Sequence, residues 1–589
     1  MFIMTDKTFF ELAQECSKNG QTEEAIGYYK KAVEENPSSF PALYNLILLL
    51  KQIQSPELIK YVDDALKLSP KDDSLYSILG EFYIKHGKKE YALYAFQEAS
   101  KINPDNFTYM YNIGTILYMM TNYDDAKMVY KELLKRDENN VSVLICLAQT
   151  YKHLHKYEKA LEIYKKCCQI NPDDIRSKYN LAVTCNTAEH PEEALEVFTQ
   201  LLDSDFDKTE VYRGIGISYR KLHKYDMALS NFKLALSNKP EDLETLAYIA
   251  DMYMYYEKED TTEMLIEQIL NKDPNFLPAI LYKDILKLRK KDFSGFEYFR
   301  LKNLEFEGSG FVSLHRHKAY QFEGFKGKTV LVVCNCGIGD SIMYSRYLKD
   351  LIKQAKHVLV VVNKPLEQIF RENFPKCTIL TDYKSEKFDI ILNMAILPYY
   401  LKSGSRIPKG RNSLKINKDA IKEFSKLDIF KNEKRKIAIT WRGATKTMPE
   451  RVVPLEKITQ LFDIPDTMFY SFQFDCTEEE KEVLRQYPNI IDMTPYIKNY
   501  TDTAAALSQI DRVVSIDTSL IHMAGVLGLK SYLMLPFEQE WRWYGGKKGI
   551  SPWYETVKMF RQMPDCLWDS VVENVKEDLV RNLYHGRFW

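Results

Sequence analysis

The residues best suited to chemistry sit close together in segment 511–536. An apolar run ending at Ile516 reads as a strand, Asp517, Thr518 and Ser519 as a turn and N-cap, and the residues to about Leu527 as a helix. Free N–H groups at such a helix start, with the hydroxyls of Thr518 and Ser519, form an anion site that suits phosphate. His522, one turn in, can face the same anion, while Asp517 orients the turn. Gly525 and Gly528 let the helix pack closely and end. The plainer alternative for His522 is a satisfied core histidine.

Two other places offer matching groups. The run 328–335 followed by Gly337, Ile338, Gly339 and Asp340 reads as strand, glycine turn and helix, which puts Asp340 at the strand end as a candidate general base. An N-cap is its alternative role. Arg442, Lys446 and Arg451 follow the strand that begins at Lys436 and could supply charge to the same anion, or form a solvated basic loop. Trp541, Trp543 and Trp553 read as packing for the loop after the last strand, or as walls of a nucleotide pocket. The histidines are scattered and no Asp-x-Asp pair follows a strand in this half, so no metal and no resident cofactor are expected.

These groups need elements to hold them. Short apolar runs at Val358–Val362, Thr378–Leu380 and Phe388–Leu392 extend the first strand–helix unit into one parallel sheet. A second begins at Lys436 and continues through Met468–Phe474, Ile490–Met493, Val513–Ile516 and Ser531–Leu535. Two doubly wound halves joined near 410–433 leave a cleft at the carboxyl ends of their strands, where such sheets bind ligands.

The first half follows another rule. Pro70, Pro104, Pro172, Pro240 and Pro274 fall on a 34-residue grid, as do Gly80, Gly114, Ala148, Ala182, Gly216 and Ala250. Ala92, Ala126, Ala160, Ala194 and Ala228 follow, each with an aromatic four residues on, at Phe96, Tyr130, Tyr164, Phe198 and Phe232. Each unit therefore reads as two antiparallel helices that cross at small side chains beside an aromatic ring. About eight units, from 6–39 to 243–276, precede a helical cap that runs to Phe299. Asn45, Asn112 and Asn180 recur on first helices, where an amide can pair with a peptide backbone or solvate the helix face.

Composition narrows the classes. With 81 Lys+Arg against 82 Asp+Glu, the chain lacks the positive field of a general nucleic-acid binder. Residues 1–19 hold no continuous apolar stretch, so no signal peptide is expected, and no run of about 18 apolar residues occurs anywhere in the sequence, so no membrane-spanning helix is expected. The 10 cysteines include no C-x-x-C pair and read as reduced, cytoplasmic core residues. The 40 Tyr are explained largely by repeat packing.

The grid resembles the tetratricopeptide repeat, which implies an α-solenoid, a superhelix whose groove takes a protein or peptide. Segment 511–536 resembles the nucleotide-sugar motif of glycosyltransferase-B (GT-B) enzymes of the heptosyltransferase type. Gly337-Ile-Gly-Asp340 resembles that family's glycine turn, whose aspartate is its presumed base, and Trp441-Arg-Gly443 with Arg451 resembles its donor-facing segment. Tyr470–Gln473, Asp502–Ala505, Trp541–Trp543, Ser551–Tyr554 and Phe560–Gln562 resemble its repeat-linked members. The combination is similar to O-linked N-acetylglucosamine transferases. The resemblance implies a metal-independent transferase with two Rossmann-like domains, moving a sugar from a nucleotide-sugar donor to a protein. A glycan or lipid acceptor, or a repeat scaffold without catalysis, is the alternative. The expected layout is repeats over 1–300, a linker over 301–327, a first Rossmann-like domain over 328–425 and a nucleotide-sugar-binding domain over 426–589, whose last helix packs across the first domain.

Overall fold

The computed structural model describes residues 8–296, 324–334, 337–382, 386–443, 451–545 and 549–585. They belong to two compact units, Met1–Leu222 and His223–Trp589. The division falls inside the helical array, upstream of the change of periodicity near residue 300.

The described residues of the first unit form helices joined by short turns. Its elements are α1 (Phe9–Lys18), α2 (Thr22–Glu35), α3 (Phe40–Gln52), α4 (Leu58–Leu68), α5 (Asp73–Lys85), α6 (Lys89–Ile102), α7 (Phe107–Met119), α8 (Tyr123–Arg136), α9 (Val141–His153), α10 (Tyr157–Ile170), α11 (Ile175–Thr187), α12 (Pro191–Leu201) and α13 (Lys208–Lys221). Each odd helix up to α11 packs on the even helix after it. Two backbone devices recur with the repeat. Asp72, Asn106, Asn140, Asp174 and Asp207 accept N–H bonds at the starts of first helices, each such cap contributing about 1 kcal/mol. Thr121, His155 and Glu189 take positive φ just past the ends of first helices, where Gly20 and Gly87 do the same in earlier units, so the chain reverses in a few residues. Close packing of the pair then depends on missing side chains. A Cβ on Gly80 would lie 2.5 Å from the Phe96 ring, and one on Gly114 would lie 2.7 Å from Tyr130.

The second unit opens with α14 (Tyr225–Asn238), α15 (Leu243–Tyr255), α16 (Glu259–Lys272) and α17 (Leu277–Arg289), then a 3-10 turn, Phe293–Phe296. The helices before the first strand thus number 17 among the described residues, the count that eight two-helix repeats and a cap require. The cap helix ends at Arg289, and residues 297–299 lie outside the described residues, as does most of the expected linker. Beyond it, β1 (Thr329–Val333), β2 (His357–Val361), β3 (Thr378–Leu380) and β4 (Ile390–Asn393) form a parallel sheet in the order β3-β2-β1-β4. A second parallel sheet holds β5 (Arg435–Ile439), β6 (Thr467–Ser471), β7 (Ile490–Asp492), β8 (Arg512–Ser515), β9 (Ser531–Leu535) and β10 (Val557–Arg561), in the order β10-β9-β8-β5-β6-β7. Counted from β5 this is the doubly wound order 3-2-1-4-5-6, with its switch point between β5 and β8. Parallel strands are covered on both faces, which is why β9 is buried at every position.

Two expectations are corrected. The last strand, β10, has Lys558 and Arg561 among its apolar residues and was not expected from the pattern. The helix Asp569–His585 packs on the second sheet, not across the first: Val571, Val572, Val575 and Leu579 share a core with Ile437, Tyr532 and Met534, and Lys558 pairs with Asp578. No helix among the described residues is long and apolar enough to cross a membrane.

The packing rule makes one substitution act in opposite directions. Gly27, in α2, has nothing within 4 Å of its Cβ position, so Gly27→Ala should raise the unfolding free energy by up to about 1 kcal/mol through helix propensity, and the urea midpoint with it. Gly80→Ala gains the same propensity but drives a methyl into Phe96, and about 1–3 kcal/mol of overpacking outweighs it. Two midpoints that shift the same way, read by far-UV circular dichroism, would refute this account.

Candidate functional site

A cleft of about 940 Å³ lies in the second unit at the carboxyl ends of β1, β5 and β8. Gly337, Gly339, Asp340, Arg442, Arg451, Asp517, Thr518, Ser519 and His522 all line it. Residues from segments nearly two hundred positions apart thus meet in one place.

The switch-point turn is built from β8. Ser515, fully buried, lies 3.1 Å from the hydroxyls of both Thr440 and Thr518. Thr518 is the N-cap residue of the helix Ser519–Leu527, yet its side chain makes no capping bond. The Ser519 hydroxyl accepts instead from Tyr500, at 2.6 Å. The first-turn N–H groups therefore face the cleft without a side-chain cap, the arrangement that receives an anion. Gly528 ends the helix with φ +79°. Gly525 does not line the cleft: a Cβ there would meet the Tyr554 ring at 2.4 Å, so its smallness admits Tyr554.

Tyr554 in turn sets His522, with its hydroxyl 2.8 Å from Nδ1, while Nε2 lies 3.4 Å from Asp517 Oδ1. Both ring nitrogens have protein partners, and only 2% of the residue is exposed. His522 also meets the first sheet. A Cβ on Gly339 would stand 2.7 Å from its Cδ2, so the helix Ile338–Tyr344 approaches this closely only because residue 339 is glycine. Gly337, with φ +94°, is the N-cap of that helix. Asp340 is therefore not the cap. It lies in the first turn and points into the cleft region.

The charges form one network. Arg542 Nη1 lies 3.2 Å from Asp340 and its Nη2 3.6 Å from Asp517. Arg451 pairs with the same Asp517 at 3.0 Å and with Glu540 at 3.1 Å. Burial pushes the Asp340 carboxyl above its ordinary value, against the opposing pull of Arg542 and His522. Burial also works against charge on Asp517, but Arg542, the His522 hydrogen bond and Arg451 prevail and hold it well below the usual carboxylate range. Two neighbouring carboxyls are thereby pushed in opposite directions, the signature of groups with different protonation roles.

Arg442 is committed elsewhere. Its guanidinium pairs with Glu480 at 2.8 Å and with Asp475, and Gln473 pins the backbone N–H groups of Trp441 and Arg442. Its charge is neutralised where the sequence suggested a phosphate contact. Lys446 lies outside the described residues. Asn45, Asn112 and Asn180 are half-buried in the first unit, on α3, α7 and α11. Asn45 already donates to the Tyr29 hydroxyl at 3.3 Å.

Several site residues escaped sequence reasoning as charges or braces: Arg542, Glu540, Tyr500 and Tyr554. The loop that carries Glu540 and Arg542 is held by the helices of the same unit. Phe537 sits with its ring 4.8 Å from Tyr225, 5.4 Å from Tyr256 and 6.4 Å from Tyr255. Arg289 of α17 lies 3.4 Å over the ring of Tyr544. Trp541 and Trp553 pack against Phe296 and Phe293, and Trp541 also lines the cleft. Among the described residues no group of His, Cys, Asp and Glu is arranged to hold a metal.

Comparisons with known proteins bear on the helical part. The family described as Tetratricopeptide repeat matches residues 3–139 and 50–205. Tetratricopeptide repeat protein 37 of Xenopus laevis is 31% identical over 88 residues, 15% of this chain and 6% of that protein. Superkiller protein 3 of Schizosaccharomyces pombe is 38% identical over 76 residues, 13% of this chain and 6% of that protein. The chain thus spans only a small fraction of these relatives. A tetratricopeptide repeat protein from Parabacteroides merdae has a solved structure that aligns with a TM-score of 0.37 at 20% identity, over 41% of this chain and 94% of that one. The helical pairs of the N-terminal part are tetratricopeptide repeats.

Proposed function

We propose that the two-sheet part is a GT-B glycosyltransferase, cytoplasmic and metal-independent, that moves a sugar from a nucleotide-sugar donor to a protein brought by the repeats. The observation that carries this reading is the meeting of Asp340, from the glycine turn after β1, with the uncapped helix start at Thr518 and Ser519 in one cleft. Doubly wound sheets bind nucleotides at such a switch point, and the helix start supplies N–H groups to a diphosphate.

The chemistry follows from these positions. Asp340, its carboxyl raised by burial, accepts the proton of an acceptor hydroxyl. The hydroxyl oxygen bonds to the anomeric carbon while the bond from that carbon to the diphosphate oxygen breaks, its electron pair leaving on the nucleoside diphosphate. The helix start receives that charge. His522 and Asp517 brace the turn, and Gly337 and Gly339 bring Asp340 close. Arg451 adds positive charge at the border of the site. The repeats supply a surface for a protein partner, as stacked helical pairs do, and a scaffold without catalysis is the second reading.

A thermal-shift series with ADP-, GDP-, UDP- and CMP-linked compounds should find one class that raises the melting temperature, by about 2.7 kcal/mol of linkage at a hundredfold excess over Kd. A flat response to all four favours the scaffold. With the donor class in hand, Asp340→Asn should lower the transfer rate by ~10²–10⁴-fold while donor binding persists. Full transfer by that variant would remove Asp340 as the base.

A further inference from the structure

The charge network contains an element that the transfer chemistry above does not use, and its role rests on that reading of the cleft. Arg542 and Arg451 face Asp340, Asp517 and Glu540, so acids outnumber the permanently charged bases. A site so balanced does not welcome a diphosphate unless one cation changes partner. Arg451 is the poorer candidate, because its Nη2 donates to Glu540 at 3.1 Å. Arg542 stands farther from its acids, at 3.2 and 3.6 Å, and its Nε has no hydrogen-bond partner. Asp340 Oδ1 and Asp517 Oδ2 are likewise buried without a hydrogen bond, so the arginine lies within charge range of both and bonds neither well. It lines the cleft with the helix start, on a loop anchored by Phe537. Its planar fork of donors suits phosphate oxygens better than a point charge does.

We propose that Arg542 clamps the donor diphosphate, exchanging Asp340 for phosphate oxygens when the donor binds. The exchange has a consequence for timing. Asp340 loses the cation that opposed its protonation and becomes the stronger base only when a donor is in place. The proton goes from the acceptor hydroxyl to Asp340, and the charge on the leaving diphosphate rests on Arg542 and the helix start. Without a donor, the base stays paired.

Isothermal titration of the full-length chain with UDP, GDP and ADP, each alongside its nucleoside, tests the exchange. For the nucleotide that binds, Arg542→Gln should weaken the diphosphate at least tenfold and leave the nucleoside unchanged. Arg542→Lys, which keeps the charge in case the glutamine variant folds poorly, should fall between. Asp340→Asn removes the competing carboxylate and should tighten the diphosphate several-fold in the wild-type background but much less in the Arg542→Gln background, a coupling that a merely structural arginine would not produce. Diphosphate affinity equal to wild type in both arginine variants, or weakened in Asp340→Asn, overturns the clamp and leaves the nucleotide site standing. A wild-type chain that binds none of the three overturns the nucleotide site and the clamp together.

Discussion

Charged groups drawn from the turns that follow both sheets meet in one partly buried network beside the cleft. Moving a single ion out of water costs several kcal/mol even after relaxation, so none of these groups could stay charged alone. They persist because each faces an opposite charge: Asp340 faces Arg542, Asp517 faces Arg542 and Arg451, and Glu540 faces Arg451. The surrounding structure can be understood as whatever keeps those separations fixed. Gly339 brings the first helix against His522, Tyr554 and Asp517 hold the imidazole, and Gly525 admits Tyr554. Remove a brace and the loss appears first as a misplaced charge.

The same logic explains why two arginines close in sequence behave differently. Arg442 and Arg451 follow the same strand, yet Glu480 and Asp475 satisfy the first, while the second reaches Asp517 across the cleft. Gln473 decides this, because its carbonyl accepts both backbone N–H groups at the end of β5 and turns Arg442 toward the helix Glu478–Arg485.

Much of this was legible in the residues themselves. The repeat showed because its crossing points demand small residues beside aromatic rings at a constant interval, and both sheets showed because fully buried parallel strands leave short apolar runs. The turn at Asp517, Thr518 and Ser519 and its partner Asp340 were legible because local chemistry, a strand end followed by a helix start, places them. What was not legible depends on tertiary partners. β10 alternates charge with apolar residues, and its neighbours could not be known. The helix Asp569–His585 has an apolar stripe whose partners lie far away in sequence, and its core contacts with Ile437, Tyr532 and Met534 and its ion pairs with Lys457 and Lys558 place it on the second sheet. Arg542 stood out only as part of an aromatic-rich motif, since its importance comes from two carboxylates at distant positions. The interval was more informative than the grid of small residues suggested: the Asn and Asp caps and the positive-φ reversals follow it too.

The tyrosine socket around Phe537 draws the modular boundary of the molecule. Burying that ring contributes about 1.5–3 kcal/mol and fastens the loop of Glu540 and Arg542 to the last helical pairs, so α14 to α17 serve as framework for the two sheets. A truncation placed where the sequence visibly changes character, near residue 300, would remove Tyr225, Tyr255 and Tyr256 and leave the loop of Glu540 and Arg542 without its socket.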